Sequence, residues 1–457
     1  MQEVIQHHLR IMGLADHSKI LILSNPDLSE AAQVLEGVTF GKVCVALQPT
    51  KLFAAVFKVV RIERGERPPE SFILNAKLNA FAKFNLRTLH SADAFYHVEG
   101  TPVVLNQHGQ AIWLWLPIGQ GGILFIGSDL PNDLIRYRQG DPLRVGERPL
   151  ETLWGIPGER PNYLFDEQLG GQHPVNRHAD CWAMVLASYL AESLEKPLNH
   201  ILPNGAAGAV VITGDDDQAY LEKYDEQLKL LRGTPITYLL HHLTRHSRET
   251  LFRIQRQNPM VDFGIHPDAL KSPKQYGKLF EQQIAWYRSL TGEQPISLRN
   301  HGFLNNGYWG HLEDWLRHKI CISSNLPGFD GKVLNSSLLP ARMAWRETLT
   351  HHWSVLTVIG DGVRFAAGMS DEDAAEGVRN VADGIRQSGI PGVMVLNLHP
   401  QNVSETRAMH YAAVEIIRSG FVAWNLRQCW EWFAKIDQSY TQVSEIEGEW
   451  TDLVSRL

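Results

Sequence analysis

The chain has 457 residues, of which 44% are hydrophobic and 20% charged, with a formal net charge of −7. That balance suits two or three globular domains with buried cores. No Lys/Arg-rich run stands out, which argues against nucleic acid or an anionic membrane surface as a partner.

The opening residues, Met1 to Leu14, lack a basic head followed by an apolar run and do not read as a signal peptide. No stretch approaches the ~18 uninterrupted apolar residues of a transmembrane helix. Cys44, Cys181, Cys321 and Cys429 are far apart and form no C-x-x-C pair. Free, buried thiols in a reducing, cytoplasmic setting are the expectation.

The first part has an α/β pattern. Lys19–Leu23 (KILIL) and Lys42–Leu47 (KVCVAL) are short β-rich runs bounded by turn residues. Three closely spaced strands follow at Pro102–Leu105, Ala111–Leu116 and Gly122–Gly127. Gln107–Gln110 and Ile118–Gly121 supply the turns, so a meander is predicted. Gly119–Gly122 is glycine-rich, and a hairpin turn explains it better than a phosphate cradle. Residues Gly140–Gly170, with RVGERP and IPGERP, read as a connector. Asp180–Leu194 has helical periodicity and good helix formers. The expected organisation is a first α/β domain at 1–155, a connector and packing helix at 156–204, and a second domain at 205–457.

From Ala209 onward the pattern becomes regular. Strands are predicted at Ala209–Thr213, Pro235–Leu240, Val261–Ile265, Pro295–Leu298, Ile320–Ser323, Trp353–Val358 and Val393–Leu398. Helical stretches lie between most of them, and Asp371–Ser388 is the clearest. Ser370 and Asp373 have capping-box spacing there, and Ala374, Val378, Val381, Ala382 and Ile385 make one apolar face. Alternating strands and helices imply a parallel sheet or a β/α barrel, whose chemistry sits where strands end and loops begin.

Several of these strands end on reactive side chains. VVIT runs into Gly214, Asp215, Asp216 and Asp217, and VDFGI into His266-Pro267. ISL runs into Arg299-Asn300-His301-Gly302, and VMVLNL into His399-Pro400. Singly, each has an ordinary explanation. Asp217 at a helix start complements the helix dipole, a lone His after a strand is more often structural, and an Arg there is usually salt-bridged. Together they make a hydrolytic kit. A carboxylate and two imidazoles can hold a divalent ion, a second carboxylate can take a proton from water, and a further His can protonate a leaving amine.

Residues ~205–457 resemble the polysaccharide deacetylase, or NodB-homology, family. Thr213-Gly214-Asp215-Asp216-Asp217 looks like its first motif, T-F-D-D-G. The resemblance implies that Asp215 is the catalytic base and Asp216 a metal ligand. Asp262–His266 matches the second motif, whose His binds metal. Arg299 matches the Arg that orients the catalytic Asp, and Leu396–His399 matches the final L-x-H, whose His is the general acid. Two positions depart from the pattern. The second metal His of the family is Leu270 here, and the usual Pro of the third motif is His301. We infer that His301 supplies the missing ligand, as in a branch of the family found with bacterial surface-glycan biosynthesis.

The first ~155 residues weakly resemble the flavodoxin-like layer of class I glutamine amidotransferase-like domains, chiefly at Gly121–Asp129. Cys44 lies inside a strand rather than on a nucleophile turn, so this domain is expected to be non-catalytic. The implied fold is α/β, a distorted β/α barrel preceded by a smaller α/β flavodoxin-like domain. The implied function is metal-dependent removal of an N-acetyl group from an amino sugar, with Zn²⁺ held by Asp216, His266 and His301. The implied substrate is nucleotide-linked, lipid-linked or oligosaccharide. The rivals are a hydrolase of non-sugar N-acyl bonds and a glycan-binding pseudoenzyme. His241, His242, His246 and His351-His352 read as capping, surface or structural residues. Tyr308-Trp309 reads equally as a sugar-stacking wall or a core pair. Asp361, just after a strand, is not assigned a role.

Overall fold

The computed structural model describes residues 1–14, 17–63, 68, 71–84, 86–145, 177–328, 337–346 and 348–438. The chain divides into two compact units, Met1–Arg138 with Val175–Ile201 and Gln139–Pro174 with Leu202–Leu457. Most of the Gly-, Pro- and Arg-rich stretch read as a connector lies outside the described residues.

The first unit carries β1 (Ile20–Ser24), β2 (Val43–Leu47), β3 (Val60–Ile62), β4 (Phe72–Leu74), β5 (Ala94–Tyr96), β6 (Thr101–Asn106), β7 (Ala111–Ile118) and β8 (Gly121–Ile126). The sheet order is β1-β2-β8-β7-β5-β3, with β6 beside β7 and β4 beside β6. β6, β7 and β8 form the predicted antiparallel meander. A flavodoxin-like layer would be parallel throughout. Here parallel pairing is confined to β1, β2 and β8, and every other pairing among the described residues is antiparallel. Between β7 and β8 the cause is local, because a two-residue turn joins only antiparallel neighbours. Gly119 occupies that turn at φ +57, where a Cβ would lie 2.7 Å from the Thr39 Cα.

Cys44 sits mid-strand in β2, fully buried, and burial pushes its thiol up to about 12. It has neither the exposed turn nor the lowered pKa of a nucleophile. Helix His178–Ser193 also belongs to this unit and is buried along nearly all of its length.

The second unit carries β9 (Gly208–Asp216), β10 (Ile236–Leu240), β11 (Val261–Ile265), β12 (Ser297–Leu298), β13 (Ile322–Pro327), β14 (Ala341–Trp345), β15 (Thr348–Gly360), β16 (Gly392–Asn397) and β17 (Val422–Trp424). Among the described residues, β9-β10-β11-β12-β13-β15-β16 pair in parallel, and β16 pairs back to β9, so the sheet closes as a barrel. One edge of β9 is shared. β17 lies along Ala209–Val211, and β10 along Ile212–Asp216. β14 adds to β15 antiparallel.

The predicted strands recur at these positions, several of them buried on both faces as parallel strands are. Helix Asp371–Ser388 has the predicted bounds. Ser370 Oγ accepts from Asp373 N at 3.0 Å, and the predicted apolar face is buried. The reciprocal half of the capping box is replaced, because the Ser370 hydroxyl donates to the Asp373 carboxylate at 2.8 Å.

Neighbouring barrel strands approach closely at Gly264 of β11. A Cβ there would lie 2.3 Å from Ser297 Oγ and 2.7 Å from the Ser297 carbonyl oxygen. Gly264→Ala should therefore destabilise the protein by about 1–3 kcal/mol through overpacking. Urea denaturation checks this, and an unchanged midpoint would show that β11 and β12 separate freely.

Candidate active site

Side chains alternate across a strand, so Thr213 and Asp215 of β9 face the barrel interior together. Arg299 leaves β12 beside them and is fully buried. Its Nε lies 3.1 Å from both Asp215 oxygens, and its Nη2 donates to Asp215 Oδ1 at 2.5 Å. The rest of the guanidinium donates to Thr213 Oγ1 at 3.0 Å, Ser324 Oγ at 3.1 Å and Asn397 Oδ1 at 2.6 Å. Asn397 returns its amide to Asp215 Oδ2 at 2.9 Å. Burial alone would raise the Asp215 pKa. The Arg299 charge, with His266 and His399, outweighs burial and holds the carboxyl well below its usual range.

Three imidazoles converge above this pair. His266 follows β11, and its Nδ1 donates to the Arg299 carbonyl at 2.7 Å. That bond fixes the tautomer and leaves the Nε2 lone pair 3.6 Å from Asp217 Oδ1. Burial pushes the ring down to about 4, so it is neutral at neutral pH. His301 Nε2 lies 3.9 Å from the same oxygen. His399 follows β16. Its Nδ1 hydrogen-bonds Asp361, whose other oxygen accepts from the His399 backbone N at 2.9 Å. The His399 Nε2 lies 3.6 Å from Asp215 Oδ2 and 3.6 Å from Asp217 Oδ2. Burial opposes charge on this ring, but Asp361, Asp215 and Asp217 together push it up to about 10.

Asp217, His266 and His301 offer ligand atoms that all lie within 4.8 Å of one another. His266 Nε2 is buried and has no hydrogen-bond partner among the described residues. A divalent cation would satisfy that orphaned acceptor, and one carboxylate with two imidazoles suits an open zinc site. The cluster opens into a cavity of about 190 Å³ lined by Asp215, Asp217, His266, His301, Phe303 and His399.

Asp215, His266, Arg299, His301 and His399 are thus brought together as the sequence led us to expect. Asp216 is not. β9 runs on through Asp216, so its carboxylate turns to the opposite face from Asp215. It accepts there from Ala219 N at 3.2 Å and from the Thr244 hydroxyl, and burial raises its pKa to about 6. Asp217 occupies the position expected of Asp216. Its helix-dipole reading missed this, although strand parity gave the signal. Asp361 was also missed as the partner of His399.

Leu270 is buried in the barrel core. Trp309 packs on Trp345 with ring centroids 5.4 Å apart and against the same core. His246 meets Tyr224 edge-on at 4.6 Å. His352 is structural. Its Nδ1 donates to the Ile320 carbonyl at 2.8 Å, and its Nε2 lies 2.8 Å from Ser323 Oγ.

The two neighbouring aspartates give a sharp test. Asp217→Ala and His266→Ala should each lose most bound zinc, whereas Asp216→Asn should keep it. Metal content after dialysis measures this. Zinc loss in Asp216→Asn with retention in Asp217→Ala would reverse the assignment.

No protein-family model and no curated protein matches the chain. Solved structures do. A Mycobacterium smegmatis protein assigned as a polysaccharide deacetylase is 19% identical, with a TM-score of 0.41, covering 52% of this chain and 94% of that one. A Bordetella bronchiseptica protein, assigned as a polysaccharide deacetylase involved in O-antigen biosynthesis, is 18% identical with a TM-score of 0.34, covering 52% and 95%. The peptidoglycan deacetylase PdaC from Bacillus subtilis is 15% identical with a TM-score of 0.33, covering 55% and 99%. Over about half of its length, the chain is similar to structures of polysaccharide and peptidoglycan deacetylases.

Proposed function

We propose that the second unit is a metal-dependent carbohydrate deacetylase that removes the N-acetyl group of an amino sugar. The observation that carries this is the convergence of a neutral imidazole (His266), a second imidazole (His301), a charged imidazole (His399) and two carboxylates on one cavity. Asp217, His266 and His301 would hold the ion, and zinc suits these donors. When bound, it would polarise the amide carbonyl and acidify the attacking water.

The chain's own groups do the rest. Asp215 is ionised and fixed by Arg299 and Asn397, so it can accept the proton of the attacking water. His399 is charged and presents its Nε2 proton toward the cluster, while Asp361 holds the other nitrogen. That proton passes to the amide nitrogen as the C–N bond breaks, releasing acetate and a free amine. A binding protein would need no such acid and base side by side, which favours catalysis over a glycan-binding role.

As part of the same proposal, the substrate is a nucleotide- or lipid-linked amino sugar in cytoplasmic surface-glycan biosynthesis. The four thiols are unpaired and buried, in keeping with a reducing compartment. No helix among the described residues is long and apolar enough to cross a membrane. The first unit would act as a structural or binding module.

Acetate release from N-acetylated sugars tests the activity. Asp215→Asn and His399→Ala should keep metal yet lose turnover by roughly two or more orders of magnitude. Near-native rates in either would remove that residue from the mechanism.

The pH profile tests Asp361. A general acid works while protonated, so the rate should hold below the raised His399 pKa of about 10 and fall above it. Asp361→Asn removes a carboxylate that favours the charged ring, and the alkaline limb should move to lower pH. An unmoved limb would mean that another group sets it.

A further inference from the structure

His301 comes to the cluster on a turn whose next residue, Gly302, has φ +60, and its side chain is 30% exposed. An imidazole so placed ligates well only if something fixes its ring. The other two rings of the site have such a partner in the Arg299 carbonyl and in Asp361.

We propose that Asp268 and His241 form a positioning pair that fixes His301 as a metal ligand. The inference rests on the zinc-site reading above. Asp268 lies two residues beyond His266. Its Oδ1 is 3.4 Å from His301 Nδ1, and its Oδ2 is 3.5 Å from His241 Nε2. The Leu270 amide donates to Oδ1 at 3.0 Å. The backbone of Asp268 is clamped as well. Its N donates to Gln283 Oε1 at 2.9 Å, and Gln283 Nε2 donates to its carbonyl at 2.8 Å. Gln283 is buried on helix Tyr276–Thr291, so the carboxylate is mounted on a rigid element.

A hydrogen bond fixes the tautomer of His241, and the charge of Asp268 favours that of His301. His241 is 4% exposed, and its Nδ1 accepts from the Leu243 amide at 3.2 Å. The neutral ring therefore carries its proton on Nε2, facing Asp268. Asp268 faces His241 Nε2 at 3.5 Å on one side and His301 Nδ1 at 3.4 Å on the other, close enough for the carboxylate to attract a ring proton to each nitrogen. A proton held on Nδ1 leaves the neutral His301 ring its lone pair on Nε2, which faces Asp217. The loop position that carries a second histidine in the related motif serves here through its backbone instead, since the Leu270 amide steadies the carboxylate.

His241, Asp268 and His301 also offer ligand atoms within 4.8 Å of one another, as a second cation site would. The Leu243 amide argues against that use. It occupies the Nδ1 lone pair of His241 and leaves Nε2 protonated. His301, for its part, cannot give Nδ1 to one cation and Nε2 to another without losing its remaining proton.

The test uses the full-length, metal-free protein and zinc. Asp268→Asn should weaken zinc binding roughly 10- to 100-fold in chelator competition, the usual cost of losing an outer partner. Asp268→Glu should recover part of the loss, and His241→Phe should lose less than Asp268→Asn. Proton–nitrogen NMR of the native protein, at a pH where the ring is neutral, should show His301 as the Nδ1–H tautomer. Asp268→Asn should mix the tautomers, which a merely structural role would not do. The pair is ruled out by unchanged zinc affinity in Asp268→Asn, by an Nε2–H tautomer in the native protein, or by a second zinc equivalent that His241→Phe removes. His266→Ala separates the two failures. If it binds zinc as the native protein does, the zinc-site reading falls. If it loses zinc while Asp268→Asn does not, only the positioning pair falls.

Discussion

A guanidinium sealed with a carboxylate inside a barrel persists only if each remaining donor and acceptor is met, because an unmet buried charge is costly. Arg299 and Asp215 meet that condition with Thr213, Ser324, Thr357 and Asn397, which arrive from four different strands. The inner faces of β9, β13, β15 and β16 are therefore polar at one height, where a purely structural barrel would carry Val, Ile or Leu. Each of those strands must lie in the right register for the ion pair to be satisfied. The pair in turn fixes the rim from which His266, His301 and His399 rise.

His266 and His399 carry the same ring and are differentiated by what holds one ring nitrogen. A backbone carbonyl holds His266, and with full burial it leaves the ring neutral, which suits a ligand. A carboxylate holds His399 and keeps the ring charged, which suits an acid. A cation bound at Asp217 would weaken the part of the field on His399 that Asp217 supplies. The part from Asp361 would persist, because that carboxylate belongs to no ligand cluster among the described residues. Partner identity thus separates roles that residue identity leaves equal.

Much of the barrel was legible from the sequence because its strands are short apolar runs ending in reactive residues. That pattern, with the family motifs, singles out Asp215, His266, Arg299, His301 and His399, which the fold brings together. The motif points to Asp216 whereas the fold turns Asp217 into the cavity, because a motif aligns residue types and the facing of a side chain depends on where β9 ends. A strand that continues by one residue moves the cavity-facing acid by one position. Asp268 is a single acid in a loop and Asp361 the first residue of helix Asp361–Ala367, and only closure of the barrel shows which histidine each one meets. In the first unit, the meander was visible as closely spaced strands with turns. The short strands β3, β4 and β5 were not, since three residues are too few to display a period.

The divided edge of β9 has a consequence for how the molecule is made. β9 leaves the ribosome before every other strand of the barrel, yet Gly208 must wait for Gly392 and Ala209 for both Val393 and Val422. Contacts so distant in sequence form late and slowly. Until they form, Ala209–Thr213 (AVVIT) is an uncharged, β-branched run without proline and with open edges, the kind of segment that pairs with other chains. The strand that carries Asp215 into the cavity is thus also the part of the nascent barrel most in need of shelter during synthesis.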